Sequence, residues 1–297
     1  MDRVLEYEIP SEYDGANITT VLKQHFKIST NLIKDLKKYK EGIQVNGEHK
    51  RVVDLAAKGD ILKITIRDTA SENIVPTDIP LDIVYEDEDV LVINKPPNMP
   101  THPSMGNYEN SLANGVMYYY KSKGEERVFR AVNRLDKDTS GLMAVAKNSY
   151  IHARLGEEIQ KKELKRKYMC IVCGDVERDG TVDAPIRRAD GSVINRIVAP
   201  DGQRAVTHYR VVKRYGEYTL LEMELETGRT HQIRVHMAYI GHPLVGDWLY
   251  GTEDHNIAKR QMLHSCYLCF THPITGQIME FKDEMAEDMR AFIEKLS

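Results

Sequence analysis

The sequence predicts an α+β protein with two domains, and three observations support this prediction. The chain has 297 residues, a length that favours two domains. Hydrophobic residues make up 41% and charged residues 29%, which is typical of a soluble globular protein with an ample core. Segments with helical spacing of apolar residues are mixed with segments that alternate like strands. We expect a small N-terminal α/β module over residues 1–68, a linker over 69–80 and a larger domain over 81–297.

The N-terminal segment predicts two helices and a small sheet. After a first short strand, apolar positions recur at helical spacing over residues 16–27. Ser29 is placed to cap a second helix, predicted over residues 32–40. The Asn46-Gly47 pair predicts a two-residue hairpin turn, and a further strand follows it. The polar face of the second helix carries four lysines: Lys34, Lys37, Lys38 and Lys40.

The larger domain begins with an acidic strand region and continues with alternating helices and strands. A stretch over residues 130–147 reads as two strands joined by a tight polar loop, with Asp136 at the end of the first strand. The other predicted elements are helices over 110–121, 149–162, 229–241 and 286–297, strands over 165–173 and 219–226, a hairpin over 263–281, and strands and loops over 178–214.

The distribution of charge is more informative than the net charge of −4. Residues 22–51 hold eight Lys and Arg against three Asp and Glu, and residues 111–234 hold 23 against 17. Residues 71–110 hold one against eight. Because binding to a polyanion depends on the local field, two basic blocks of this kind are compatible with a nucleic-acid partner.

Four cysteines form two C-x-x-C pairs, Cys170/Cys173 and Cys266/Cys269, a spacing also found in zinc sites. Both pairs lie in predicted strands, where residues three apart point to opposite faces. We therefore expect reduced, mostly buried thiols without a disulfide and without metal. No apolar run is long enough to span a membrane, and the charged N-terminus lacks the apolar core of a signal peptide, which predicts a cytoplasmic protein.

The polar stretch around Asp136 is open to several interpretations. A calcium loop would need a bidentate glutamate where Lys147 stands, and a phosphate-binding loop would need a Gly-Lys-Ser/Thr ending, so neither fits. A solvated hairpin loop and a hydrolase that pairs Asp136 with Asp138 stay open, although nothing nearby separates the two carboxylates chemically. His231 and His236 are five residues apart, whereas zinc-binding helices place histidines four apart, so a metal site is not expected there.

Four ordered motifs narrow these alternatives. NRLDKDTSGLMAVAK, residues 133–147, resembles the catalytic motif of the large-subunit-type (RluA/RluD-like) RNA pseudouridine synthases, usually HRLDxxTSGLLLxAK. DEDVLVINKPPNMPTHPS (87–104), KRKYMCIV (165–172) and ETGRTHQIRVHMAYIGHPLVGDWLYG (226–251) resemble three further motifs of that family in the expected order. Asn133 replaces the usual histidine and Asn98 the usual glycine; asparagine tolerates positive φ, so the second change is mild. The N-terminal segment resembles the S-four-like RNA-binding module of ribosomal proteins.

The resemblance implies a catalytic fold with a mixed, largely antiparallel sheet and an isomerase that converts specific uridines in structured RNA to pseudouridine. Such an isomerisation requires no metal and no cofactor. The appended module favours ribosomal RNA over transfer RNA as the partner, with no membrane and no obligate protein partner. The alternative is a non-catalytic RNA-binding or ribosome-assembly factor on the same fold.

The resemblance also assigns roles to individual residues. Asp136 matches the catalytic carboxylate and Arg234 its cationic partner. Tyr168 matches the tyrosine that stacks on the uracil. Arg134, expected to share a strand face with Asp136, matches the arginine that fills the space of the flipped base. Six further residues are assigned to RNA contact: Arg229, His231, Lys34, Lys37, Lys38 and Lys40.

Overall fold

The computed structural model describes residues 2–67, 74–251 and 257–296, and its N-terminal part is a four-stranded sheet with two short helices. Asn46 and Gly47 have φ of 51° and 83°, as the predicted two-residue turn requires. The side chain of Ser29 accepts a hydrogen bond from the amide of Leu32, which confirms the predicted cap. In the sheet order β1-β4-β2-β3, the elements are β1 (Arg3–Glu8), α1 (Ile18–Gln24), α2 (Thr30–Leu36), β2 (Ile43–Val45), β3 (Glu48–His49) and β4 (Ile61–Ile66).

Helix α2 ends earlier than the sequence pattern predicts. It stops at Leu36, and the prediction that it continues to Lys40 is wrong. The cause is tertiary: Tyr39 adopts an extended backbone, with φ of −140°, and its hydroxyl donates to the carbonyl of Thr65 on β4. Gly42 then lies so close to Leu36 that a Cβ there would meet the Leu36 carbonyl oxygen at 1.9 Å. The chain turns back toward β2 instead of extending the helix.

The larger part of the chain is built on one nine-stranded sheet, in the order β5-β6-β7-β14-β8-β13-β12-β9, with β15 also paired to β14. Only the β7–β14 pair is parallel among the described strands, so the predicted α+β class with a mixed, largely antiparallel sheet is confirmed. The strands are β5 (Asp82–Glu86), β6 (Val90–Lys95), β7 (Ser140–Ala146), β8 (Lys165–Cys173), β9 (Gly180–Asp183), β10 (Ile186–Arg188), β11 (Arg196–Val198), β12 (Val206–Arg214), β13 (Tyr218–Leu225), β14 (Leu263–Thr271) and β15 (Ile278–Lys282). The helices are α3 (Leu112–Ser122), α4 (Ser149–Gln160), α5 (Gln232–Tyr239) and α6 (Glu287–Glu294). Strands β10 and β11 form a separate hairpin.

The predicted hairpin over residues 130–147 is only half correct. Its second strand is present as β7, but its first half is not a strand. The chain runs beside β7 briefly, where the amide of Val132 donates to the carbonyl of Ala144 at 2.8 Å, and then departs.

A long-range pairing explains this departure. Strand β14 takes the same edge of β7 at Ser140 and Gly141, so the preceding residues have no free edge to pair with. Asp136 therefore lies in a loop rather than at a strand end, and the predicted shared strand face of Arg134 and Asp136 does not exist.

The two faces of β6 and β7 pack into different cores. Val92 and Ala144 face a cluster that also contains the N-terminal module, whereas Ile93 and Met143 face the cluster that contains Tyr168. Alternation of side chains along each strand produces this division. The module is joined to the first core by polar contacts as well: the Arg3 guanidinium donates to Asp89 at 2.8 and 2.9 Å, and the Tyr150 hydroxyl donates to the Phe26 carbonyl at 2.9 Å.

The cysteines lie on strands β8 and β14, as predicted, and all four are free thiols. Cys170 is buried, and the three other cysteines are half-buried. Within the described ranges, no group of three or more His, Cys, Asp or Glu is placed to hold a metal ion. No helix among the described residues has the length and apolarity to cross a membrane. Residues 69–73 of the predicted linker lie outside the described residues.

Candidate active site

A cleft of about 690 Å³ opens beside the loop that carries Asp136. Its walls are the loop over residues 132–139, the start of β8, and the segment over residues 225–234 that runs from β13 into α5. The volume lies within the range of small-molecule sites. The structure brings six of the sequence-predicted residues together here: Asp136, Arg234, Tyr168, Arg134, Arg229 and His231.

Arg234 links the cleft to the protein interior. Its Nη1 lies 3.3 Å from Oδ2 of Asp136, the contact expected from the sequence. Its Nε and Nη2 each donate at 2.7 Å to the two carboxylate oxygens of Asp247, which is fully buried. Burial lowers the pKa of Arg234, but Asp247 and then Asp136 offset this effect and the net pKa is raised. Arg234 is therefore a permanent cation held mainly by Asp247, and the Asp136 side chain, which is 25% exposed, is left facing the cleft.

Asp247 is fixed by its own backbone neighbours. The amides of Leu249 and Tyr250 donate to its Oδ1 at 3.0 and 3.2 Å. With the two bonds from Arg234, the Asp247 carboxylate accepts four hydrogen bonds, three at Oδ1 and one at Oδ2. The guanidinium plane of Arg234 is thus set before any substrate arrives, which is the preorganisation that a catalytic carboxylate needs from its partner.

His231 marks the start of α5, which begins three residues later than predicted. The residue has a left-handed backbone with φ of 58° and occupies the N-cap position. Its Nδ1 lies 2.8 Å from the Tyr250 hydroxyl, and its Nε2 lies 3.9 Å from Oδ2 of Asp136. Burial lowers the pKa of His231, so the imidazole is neutral near pH 7 and Arg234 supplies the charge next to Asp136.

Tyr168 lies on β8 and is 4% exposed. Burial raises its pKa, which keeps the phenol protonated at neutral pH. Its ring forms part of the cleft wall beside Asp136, so a planar base entering the cleft can contact an aromatic surface.

The remaining predicted residues differ in position. Arg134 and Arg229 are exposed at the rim of the cleft, where Arg229 Nε donates to the Arg204 carbonyl at 3.0 Å. The four lysines of the N-terminal module do not line the cleft. They are exposed on that module, and Lys38 pairs with Asp35 at 2.6 Å.

Two buried basic side chains, those of Lys95 and Arg260, hold the backbone of the Asp136 loop, and sequence reasoning identified neither. Lys95 is fully buried, and its Nζ donates to the carbonyl of Lys137 at 3.1 Å. Arg260 Nη1 donates to the carbonyl of Asp138 at 3.0 Å, while its Nε and Nη2 bind the Asp288 carboxylate of α6 at 2.6 and 2.7 Å. The loop is therefore clamped from the strand β6 side and from helix α6.

The two departures from the family pattern now have physical explanations. Asn98 has φ of 59°, a conformation that asparagine adopts more readily than most residues. The side chain of the buried Asn133 pairs with the backbone of β7, as a neighbouring strand would. Its Oδ1 accepts from the amide of Ala144 at 2.9 Å, and its Nδ2 donates to the carbonyl of Leu142 at 3.5 Å. Asn133 thus anchors the loop to β7.

The alternative chemistries lose support. Asp138 does not line the cleft, so the structure does not pair it with Asp136 there. His236 is buried and bonds to Thr207 Oγ1 and the Ala184 carbonyl, both at 2.9 Å, which is a structural role.

Sequence reasoning missed Asp247, Lys95 and Arg260, although a signal existed for two of them. Asp247 and Lys95 both lie inside motifs that resemble those of the family. Their importance depends on burial and on contacts far along the chain, which no local pattern reports.

Comparison with known proteins agrees with this geometry. The family described as RNA pseudouridylate synthase matches residues 89–239. The chain is 44% identical over 268 residues to a Bacillus subtilis protein named uncharacterized RNA pseudouridine synthase YjbO, covering 90% of this chain and 94% of that one. It is 41% identical to the ribosomal large subunit pseudouridine synthase D of Pasteurella multocida, over 80% of this chain and 78% of that one.

A solved structure shares the fold. Human RNA pseudouridylate synthase domain containing 4 is 22% identical, with a TM-score of 0.59, covering 72% of this chain and 92% of the human chain. Identity at that level supports the fold alone. The match over half of the sequence and the close relatives show that the chain belongs to the RNA pseudouridylate synthase family, whose members isomerise uridine in RNA to pseudouridine, and that it is an enzyme of this kind.

Proposed function

We propose that the chain modifies uridines of ribosomal RNA in the cytoplasm and that Asp136 is its reacting carboxylate. The observation that carries the proposal is the 3.3 Å contact between Asp136 and Arg234 at the wall of an open cleft. Isomerisation must break the bond between uracil and ribose and rejoin the base through carbon 5. A carboxylate next to the anomeric carbon can attack it, or can stabilise positive charge on the sugar and remove a sugar proton. Both routes use the same group.

The proposed roles of the neighbouring residues come from the family resemblance, and their positions in the cleft support them. Tyr168 stacks on the uracil after the nucleotide is flipped, and Arg134 at the rim occupies the space that the base leaves. Arg229 and His231 contact the strand around the target. Relatives named as ribosomal large subunit pseudouridine synthases support ribosomal RNA as the substrate.

The N-terminal module is proposed to bind RNA at a distance from the cleft. Its exposed lysines lie outside the cleft, and a lysine-rich surface favours phosphate contacts. The proposed division of the chain remains a module over 1–68, a linker over 69–80 and a catalytic domain over 81–297.

The test is tritium release from ribosomal RNA labelled at carbon 5 of uridine, with the RNA taken from cells that lack this protein. Asp136→Asn should abolish release, because the amide can neither attack carbon nor carry the charge. Asp138→Asn is the matched control two residues away, and it should retain release because Asp138 does not line the cleft. Equal activity of Asp136→Asn and wild type would refute the assignment.

A further inference from the structure

Arg166 is a buried cation without a partner. The residue is 8% exposed and lies on β8, two positions before Tyr168, on the same face of the strand. Its Nε is sealed from solvent and has no hydrogen-bond partner. Among residues 2–67, 74–251 and 257–296, its side chain forms no hydrogen bond and no ion pair. The guanidinium nevertheless lines the cleft that contains Asp136.

The carboxylates of the cleft are already engaged. Only Asp136 and Glu226 line it among the described acidic residues. Asp136 contacts Arg234. Glu226 accepts from three cationic or imidazole groups, at 2.6, 3.2 and 2.9 Å: Lys162, Arg204 and His208. Neither acid is therefore available to neutralise Arg166.

An unpaired buried charge is costly. A guanidinium cannot lose its proton under ordinary conditions, so it cannot escape the cost by becoming neutral. The penalty for taking such an ion out of water without a counter-charge amounts to several kcal/mol. A cost of this kind is expected where the missing counter-charge comes from a ligand.

We propose that Arg166 binds a phosphodiester of the RNA strand next to the uridine that enters the cleft. This inference rests on the proposed function, because it places the phosphate in the same cleft as Asp136. Arg166 and Tyr168 are about 7 Å apart along the strand, a separation that one nucleotide can span. The phosphate of the flipped nucleotide, or of its immediate neighbour, is then held while the base lies against Tyr168.

Gly228 lies next to the guanidinium of Arg166. A Cβ at this position would lie 3.5 Å from Nη1 and 3.6 Å from Nη2 of Arg166, at ordinary contact distance. A fork of two parallel N–H groups matches two oxygens of a phosphate.

A base carbonyl is a weaker candidate for this position. Uracil oxygens accept hydrogen bonds, but they are neutral and cannot compensate a full positive charge. The phosphodiester groups are the anions that an RNA strand supplies, one for each linkage.

The first measurement is stability. Arg166→Met keeps the length of the side chain and removes the charge. It should leave the urea midpoint of unfolding unchanged or higher, because no protein partner is lost and a desolvated charge is removed. A clear fall in the midpoint would show that Arg166 has a structural partner and would overturn the proposal.

The second measurement is the salt dependence of binding to a short single-stranded oligouridylate. Each phosphate contact contributes a slope of about −0.7 to log K against log salt for single strands. Arg166→Met should weaken binding and reduce the slope by about 0.7, and Arg166→Lys should restore most of the slope because it keeps the charge. Arg290→Gln removes an arginine of α6 that pairs with Glu284 away from the cleft, and it should leave the slope unchanged.

An unchanged slope in Arg166→Met, or no measurable binding by the wild-type chain at low salt, would also overturn the proposal. The outcome is separable from the test of Asp136. Asp136→Asn should lose tritium release but keep the wild-type salt slope. If the wild-type chain released no tritium while the Arg166 effect on the slope persisted, the proposed function would fall and the phosphate site would stand.

Discussion

Arg234 and Arg166 are both buried arginines of the same cleft, yet their surroundings are opposite. Arg234 is held by Asp247 through two bonds of 2.7 Å and extends its third nitrogen to Asp136. Arg166 has no partner among the described residues, and its Nε is sealed from water. Arg234 has its charge partners in the free protein and organises the site. Arg166 lacks a protein counter-charge, and we propose that an anion from the RNA supplies it. The contrast separates groups that build a site from groups that bind what enters it.

The sharpest test of the comparison is Asp247→Ala. Removing this carboxylate leaves Arg234 buried with only the weaker Asp136 contact, and breaking a buried pair in this way costs about 3–5 kcal/mol. We expect the free energy of unfolding to fall by that amount and tritium release to be lost together. Urea denaturation measures the first and the labelled RNA assay the second. If Asp247→Ala left the free energy of unfolding unchanged, as Arg166→Met is expected to do, the distinction between the two arginines would be lost.

Lys147, a buried cation outside the cleft, pairs with an acid that is partly screened by solvent. The expected effect on stability therefore lies between those of the two arginines. Lys147 is 3% exposed and donates to Glu86 Oε1 at 2.7 Å. Burial raises the pKa of Glu86, but hydrogen bonds from Lys147, Tyr119 and Lys123 outweigh it and lower the pKa to about 2. The folded-state pKa is below the ordinary value of about 4.3, so this stabilisation is present above that pH and is lost as the pH falls toward 2.

Glu86→Gln should therefore destabilise the protein by about 1–2 kcal/mol at pH 7 after allowance for solvent screening. The difference from wild type should shrink progressively below pH 4 when unfolding is followed against pH. Tritium release at pH 7 should be retained, because Glu86 does not line the cleft. A difference that stays constant down to pH 2 would contradict the assignment of the lowered pKa to Glu86.

The smallest expected effect is at Lys38, whose Nζ lies 2.6 Å from Asp35 on the exposed surface of the N-terminal module. Exposed pairs of this kind contribute about 0–1 kcal/mol. Lys38→Gln should change the unfolding free energy by less than about 0.5 kcal/mol, yet weaken binding to ribosomal RNA evenly across sequences. If Lys38→Gln lowered the stability and left RNA binding unchanged, Lys38 would have a structural role and no role in RNA binding.

The sequence was most informative where the functional residues belong to a long continuous motif. The Asp136 and Arg234 contact follows from two such motifs, and the turn at Asn46-Gly47 follows from local turn chemistry. The first strand of the 130–147 hairpin was wrong because β14, more than 120 residues further along, takes the edge of β7. Arg166 lies in the KRKYMCIV motif, but its lack of a hydrogen-bond or ion-pair partner is visible only in the three-dimensional structure.

Arg260 has a consequence for the order in which the molecule can become active. It joins the backbone beside Asp136 to Asp288 on α6, so the proposed reacting carboxylate depends on a segment translated about 150 residues later. A nascent chain that still lacks α6 contains every residue proposed for the chemistry. It lacks the contact between Arg260 and Asp288 that supports the Asp136 loop. The enzyme should become active only after synthesis has passed α6, which would keep a partly synthesised chain from acting on the RNA around it.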